Sequence, residues 1–133
     1  MNQIIDAGPS EAATARPADR LAEGFAAHLA AWSGRLGADD ATQELAGRAA
    51  AAVSRATSDG HACLSLHEFA KTAAPGLTDA RLRAALLASG VVGTPERPGA
   101  MPLILDGEGR LYLHRYFDYE RRLAARLVRA ARA

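Results

Sequence analysis

The chain has 133 residues, 49% of them apolar and 23% charged, with 16 basic and 15 acidic side chains for a formal net charge of +1. That length gives one domain, which can bury roughly two-thirds of its unfolded surface without metals or disulfides, and the near-neutral balance excludes a global field for nucleic acid or membrane. No apolar run approaches the ~20 residues of a membrane span, Met1–Asp6 lacks the basic and hydrophobic regions of a secretory signal, and the single Cys63 excludes an internal disulfide framework and fits a reducing cytoplasm.

Residues 1–17 mix Ala, Gly, Pro, Ser and Thr with no sustained period and read as a flexible leader, leaving 18–133 as the folded part. From Asp19 a helix is expected, with Leu21, Phe25, Leu29, Trp32 and Leu36 at helical spacing. A second helix starts at Asp40, where Asp40 and Gln43 resemble a capping box. Its narrow stripe of Leu45, Ala49, Ala52, Val53 and Ala56 implies close helix–helix packing.

Ser58-Asp59-Gly60 breaks that helix with turn chemistry, and His61–Leu64 reads as a short strand. Ser65 and Glu68 form an S-x-x-E capping box flanked by Leu64 and Phe69 as a hydrophobic staple, so a helix begins at Leu66 and stops at Pro75-Gly76. Thr78 caps the next helix, which turns Leu82, Ala85 and Leu86 inward and ends at Gly90. After a Pro/Gly loop over Gly93–Gly99, Pro102–Asp106 and Arg110–His114 flank Gly107-Glu108-Gly109 as a hairpin, with Leu103, Leu105, Leu111 and Leu113 alternating inward. A last helix starts at Arg115, with Tyr119, Leu123 and Leu127 on one side. The expected class is α+β and mostly helical: a winged-helix-like core in the order α-β-α-α-β-β, with an extra helix at each end.

No catalytic constellation emerges. Lys71, the only lysine, follows no phosphate-loop glycines, and Gly107-Glu108-Gly109 sits in a hairpin rather than at a strand-to-helix turn. His61 and Cys63, two apart on an expected strand, share a face, but His67 is the only further ligand nearby, so a zinc site stays incomplete. Cys63 reads as a small buried hydrophobe rather than a nucleophile. Asp39-Asp40 reads as helix-start acids favoured by the dipole. No metal, no cofactor and no catalytic residue is therefore assigned.

Two surfaces remain as candidates. On the last helix Arg122, Arg126 and Arg129 lie at i, i+4 and i+7, a basic stripe expected opposite Tyr119, Leu123 and Leu127. It reads as a solvated face, a phosphate contact or a site for an acidic partner. The fourth helix holds the recognition position of a winged helix and offers Arg81 and Arg83, but Asp79 stands at its mouth and alanines make up most of the rest.

Gly60-His61-Ala62-Cys63-Leu64-Ser65-Leu66 resembles the G-H-x-C-L-x-L segment near the front of RecD, the alpha subunit of bacterial exodeoxyribonuclease V. Pro102-Leu103-Ile104-Leu105-Asp106, then Arg110-Leu111-Tyr112-Leu113-His114-Arg115-Tyr116, is similar to that family's P-L-I-L and R-L-Y-L-x-R stretches, and Glu120 with Leu123-Ala124 fits the helix that follows. The resemblance implies an N-terminal domain of a helicase subunit that takes part in double-strand-break repair and recombination. The domain would dock the motor onto a RecC-like subunit and, through it, a RecB-like one. ATP hydrolysis and unwinding would then belong to motifs beyond residue 133, contact with DNA would be indirect, no membrane would be involved, and the location would be cytoplasmic. The matched positions are mostly apolar or turn-forming and imply fold rather than contact. Tyr112 and Tyr116 are either interface anchors or closures of the core edge. The alternative is a winged-helix nucleic-acid-binding module using Arg81, Arg83 and the Arg122/Arg126/Arg129 stripe.

Overall fold

The computed structural model describes residues 16–132. Of the leader expected over residues 1–17, residues 1–15 lie outside them, while Arg16 caps and Pro17 begins the first helix. Five helices and four short strands follow in the order α1 (Pro17–Arg35), α2 (Asp40–Ser58), β1 (Leu64–Ser65), α3 (Leu66–Ala73), α4 (Asp79–Ala88), β2 (Val92–Gly93), β3 (Leu103–Leu105), β4 (Arg110–Leu113) and α5 (His114–Arg132). This is the mostly helical, winged-helix-like α+β arrangement that the patterning implies, with one strand more than expected.

The helix starts follow local chemistry. Pro17 opens α1 two residues before the expected start, at a position where its missing N–H costs nothing. Asp39 caps α2, taking the Thr42 N–H at 2.8 Å, so the cap is one residue earlier than the Asp40 reading. Gln43 does not complete a box; its side-chain amide donates to the Ala38 carbonyl at 2.8 Å. Ser65 and Thr78 cap α3 and α4 as expected, accepting from Glu68 N–H and Arg81 N–H.

The core is built around α2. Its buried face, Ala46, Gly47, Ala49, Ala50, Ala51, Val53 and Ser54, is wider than the expected stripe and contains nothing larger than valine. Small residues let α1 approach closely. A Cβ on Gly47 would stand 3.2 Å from the Ala26 carbonyl oxygen and 3.5 Å from Ala30 Cβ. Leu29 of α1, Phe69 of α3, and Leu82 and Leu86 of α4 complete the core with the inner face of the sheet. The buried Ser33 hydroxyl donates to the Ser89 carbonyl at 2.7 Å and ties α1 to the end of α4.

The sheet order is β1-β4-β3-β2, antiparallel except for the parallel β2–β3 pair. The register sets Leu64, Leu111 and Leu105 in one inward row, and Leu113, Leu103 and Val92 in the next. The expected alternation is present, but the outer face is covered too: Ile104 and Tyr112 are buried there. The chain folds back over Gly93, where a Cβ would meet the Pro98 and Arg97 carbonyl oxygens at 2.8 and 2.9 Å, so only glycine fits.

Two sequence expectations are corrected. The strand placed over His61–Leu64 is confined to Leu64–Ser65, and it lies against the Arg110–Leu111 end of β4. His61 is instead held by its backbone N–H on the Ala56 carbonyl at 2.9 Å, outside any strand. The apolar stripe of α1 is also rotated: Ala22, Leu29 and Ser33 are buried, whereas Leu21 and Leu36 are exposed.

Candidate interaction surface

The hairpin is fixed by its own loop. The Asp106 carboxylate accepts from Glu108 N–H at 3.0 Å, from Arg110 N–H at 2.8 Å and from the Arg110 guanidinium at 2.7 Å. Burial works against that charge, but the hydrogen bonds from Arg110 and Glu108 outweigh it and hold Asp106 below the usual carboxylate range. The Arg83 guanidinium donates to the Asp106 carbonyl at 2.6 Å. Arg83 is thus engaged in bracing α4 against the hairpin, and Asp79 lies 3.0 Å from the His67 ring. Of the expected reading residues on α4, Arg81 alone is exposed.

Cys63 is half-buried, and burial pushes its thiol up against the opposing pull of Arg110. Burial and the neighbouring Cys63 push Tyr112 up to about 12. Tyr112 is therefore a neutral, buried ring on the outer face of an inner strand, and it does not present itself at the surface. Among the described residues no group of His, Cys, Asp and Glu side chains could hold a metal ion.

The root of α5 is built on this same outer face. Phe117 meets Tyr112 edge-on with centroids 5.7 Å apart, and the Arg121 guanidinium lies 5.5 Å from the Phe117 centroid. His114 donates its backbone N–H to the Pro102 carbonyl at 2.9 Å and sets Nδ1 2.5 Å from the Met101 carbonyl oxygen. Beyond this root the helix leaves the body. No residue of α5 is buried, and Tyr119, Leu123 and Leu127 are 62%, 42% and 62% exposed. From Tyr119 onward the apolar side of the last helix is therefore left exposed among the described residues.

The basic stripe also needs correction. At 3.6 residues per turn, Arg122 and Arg126 follow Tyr119 and Leu123 by three, so the arginines flank the apolar stripe instead of opposing it. Arg122 and Arg121 both pair with Asp118, whose carboxyl they hold below its usual range. Arg126 and Arg129 form no ion pair among the described residues. Tyr116 is half-buried, with the Arg115 guanidinium 5.1 Å from its centroid, and Glu120 is exposed on the side toward Tyr112 and Phe117. Sequence reading missed Leu21 and the groove it borders at the foot of α5, because helical spacing assigned Leu21 to the core.

The remaining motif positions are structural. Gly60 turns with φ +94°, Leu66, Leu103, Leu105 and Leu111 are buried, and Leu64 and Leu113 pack against that core from its margin. Pro102 leads into β3 and accepts the first α5 bond.

These features define a winged-helix-like domain whose polar side chains tie its own turns and whose most exposed element is an amphipathic, cationic helix. Residues 13–112 match the family model described as the RecBCD enzyme subunit RecD, N-terminal domain, and the chain belongs to that family, a non-catalytic domain. The match spans α1 through most of β4, and α5 lies beyond it together with Leu113, Arg115, Tyr116 and Glu120. No curated protein and no solved structure matches the chain.

Proposed function

We propose that residues 18–133 form the docking domain of a RecD-like helicase subunit, which binds a RecC-like partner and, through it, joins a RecB-like subunit in double-strand-break repair. The family supports the setting. The observation that carries the docking role is α5, which exposes Tyr119, Leu123 and Leu127 as one stripe and buries none of its residues. Large apolar side chains aligned on an exposed helix are the feature by which helices enter grooves on partner proteins. Tyr119 suits an anchor, with an apolar ring and a hydroxyl that can stay wet. The motor activity is assigned to the rest of such a subunit. No helix among the described residues is long and apolar enough to cross a membrane.

A nucleic-acid reading finds less support on α4, since Arg83 is engaged with the hairpin and Asp79 with His67. Mixing the chain with the RecC-like subunit of the same source should give a complex that co-elutes on size-exclusion chromatography at physiological salt. Separate elution at micromolar concentrations would rule the docking role out.

A further inference from the structure

Arg115 belongs to two features at once. It lines an apolar groove of about 350 Å³ at the foot of α5, walled by Leu21 and Phe25 of α1, Pro102 and Leu113 of the hairpin, and His114. Leu21, at the start of α1, is 65% exposed beside the groove. The imidazole wall is set by the contact of His114 Nδ1 with the Met101 carbonyl.

Arg115 is also the first rung of a ladder. Arg122, Arg126 and Arg129 follow it by seven, eleven and fourteen residues, which keeps all four on one face of α5 over about 21 Å. Six arginines against Asp118 and Glu120 give α5 a formal charge of +4, so with +1 for the whole chain the remainder carries −3. The cationic field is thus concentrated on this helix, and it begins where the apolar groove ends.

We propose that this face binds an acidic protein segment, with a large apolar side chain seated in the groove and carboxylates following along the arginines. About six extended residues cover the ladder. Guanidinium groups pair with carboxylates in a fork geometry, and the free Arg126 and Arg129 supply the uncompensated charge at the far end. A protein segment fits better than a nucleic-acid strand because Leu21, Pro102 and Leu113 give the groove apolar walls with no π-face, and Phe25 and His114 are the only rings that line it, whereas single strands are held by successive bases stacked on aromatic platforms. The site is separate from the Tyr119/Leu123/Leu127 stripe on the neighbouring face, so it stands whether or not that stripe docks a RecC-like subunit.

Fluorescence anisotropy on the full chain tests it, using a labelled peptide of two leucines followed by a run of glutamates, made in both sequence orders. Comparators are the same peptide with serines for leucines and a labelled oligothymidine of similar length. Saturable binding at low salt is expected for at least one leucine–glutamate order. Arg126→Glu with Arg129→Glu should weaken it about tenfold or more. Leu21→Glu should do the same while leaving the core untouched, and the uncharged Leu123→Ser with Leu127→Ser should leave it unchanged. Absence of saturable binding, equal binding of the serine peptide, or tighter binding of the oligothymidine would each overturn the proposal.

Discussion

Helices α2 and α5 are both 19 residues long and meet opposite fates. The first buries seven residues, none larger than valine; the second exposes Tyr119, Leu123, Leu127 and Val128 and buries none of its residues. Fully burying one leucine is worth about 1.5–3 kcal/mol, so leaving such residues in water forgoes stabilisation the domain could use. Small residues at the centre permit close backbone approach, while Tyr119, Leu123, Leu127 and Val128 on α5 stay exposed. In the proposed docking role, stability and docking fall to different helices, and substitutions should separate them.

The largest loss is expected where the core that surrounds α2 is emptied. Leu82→Ala removes a fully buried side chain and should cost about 2–5 kcal/mol in urea-induced unfolding. Next is the hairpin. Asp106→Ala leaves two backbone N–H groups and Arg110 without their acceptor and should cost about 2–3 kcal/mol. Because the folded Asp106 carboxyl lies below its unfolded value, its contribution is complete above the ordinary aspartate value of about 3.9 and fades as pH falls through the folded value. Asp106→Asn should flatten the stability profile in that acid window; an unchanged profile would show that the carboxylate charge contributes little.

Smaller is the cap on α3. Ser65→Ala removes the acceptor for Glu68 N–H and should lower stability by about 1 kcal/mol. Smallest of all is α5: Leu123→Ala should shift stability by less than about 0.5 kcal/mol. A shift as large as that of Leu82→Ala would mean that α5 is packed against the body in solution, and the contrast between the two helices would collapse.

What could be read in the sequence was whatever is settled within a turn or two of chain. The Ser65 and Thr78 caps, the stop at Pro75-Gly76, the Gly90 terminus and the hairpin around Gly107-Glu108-Gly109 depend on neighbours a few residues away, and all are found. Strand β2 was missed because Val92 and Gly93 acquire their strand pairing only from β3, beyond a Pro/Gly loop. Arg83 looked free because its acceptor is a backbone carbonyl 23 residues further on, which no pattern of side chains advertises. The fate of α5 was illegible for a different reason: periodicity reports that a helix has an apolar side, not whether the same chain provides a layer to cover it. The segments Gly60–Leu66 and Pro102–Tyr116 carried the family resemblance, and in the structure they are a capped strand–helix junction and the hairpin that roots α5.

The central claim is that α5 serves a partner and not the fold. Its most direct test is size-exclusion co-elution with the RecC-like subunit for the chain and for the double variant Leu123→Glu/Leu127→Glu, with urea unfolding of each alongside. The account predicts a variant as stable as the parent, within about 0.5 kcal/mol, that no longer co-elutes. A variant that is equally stable and still binds as the parent does would contradict it.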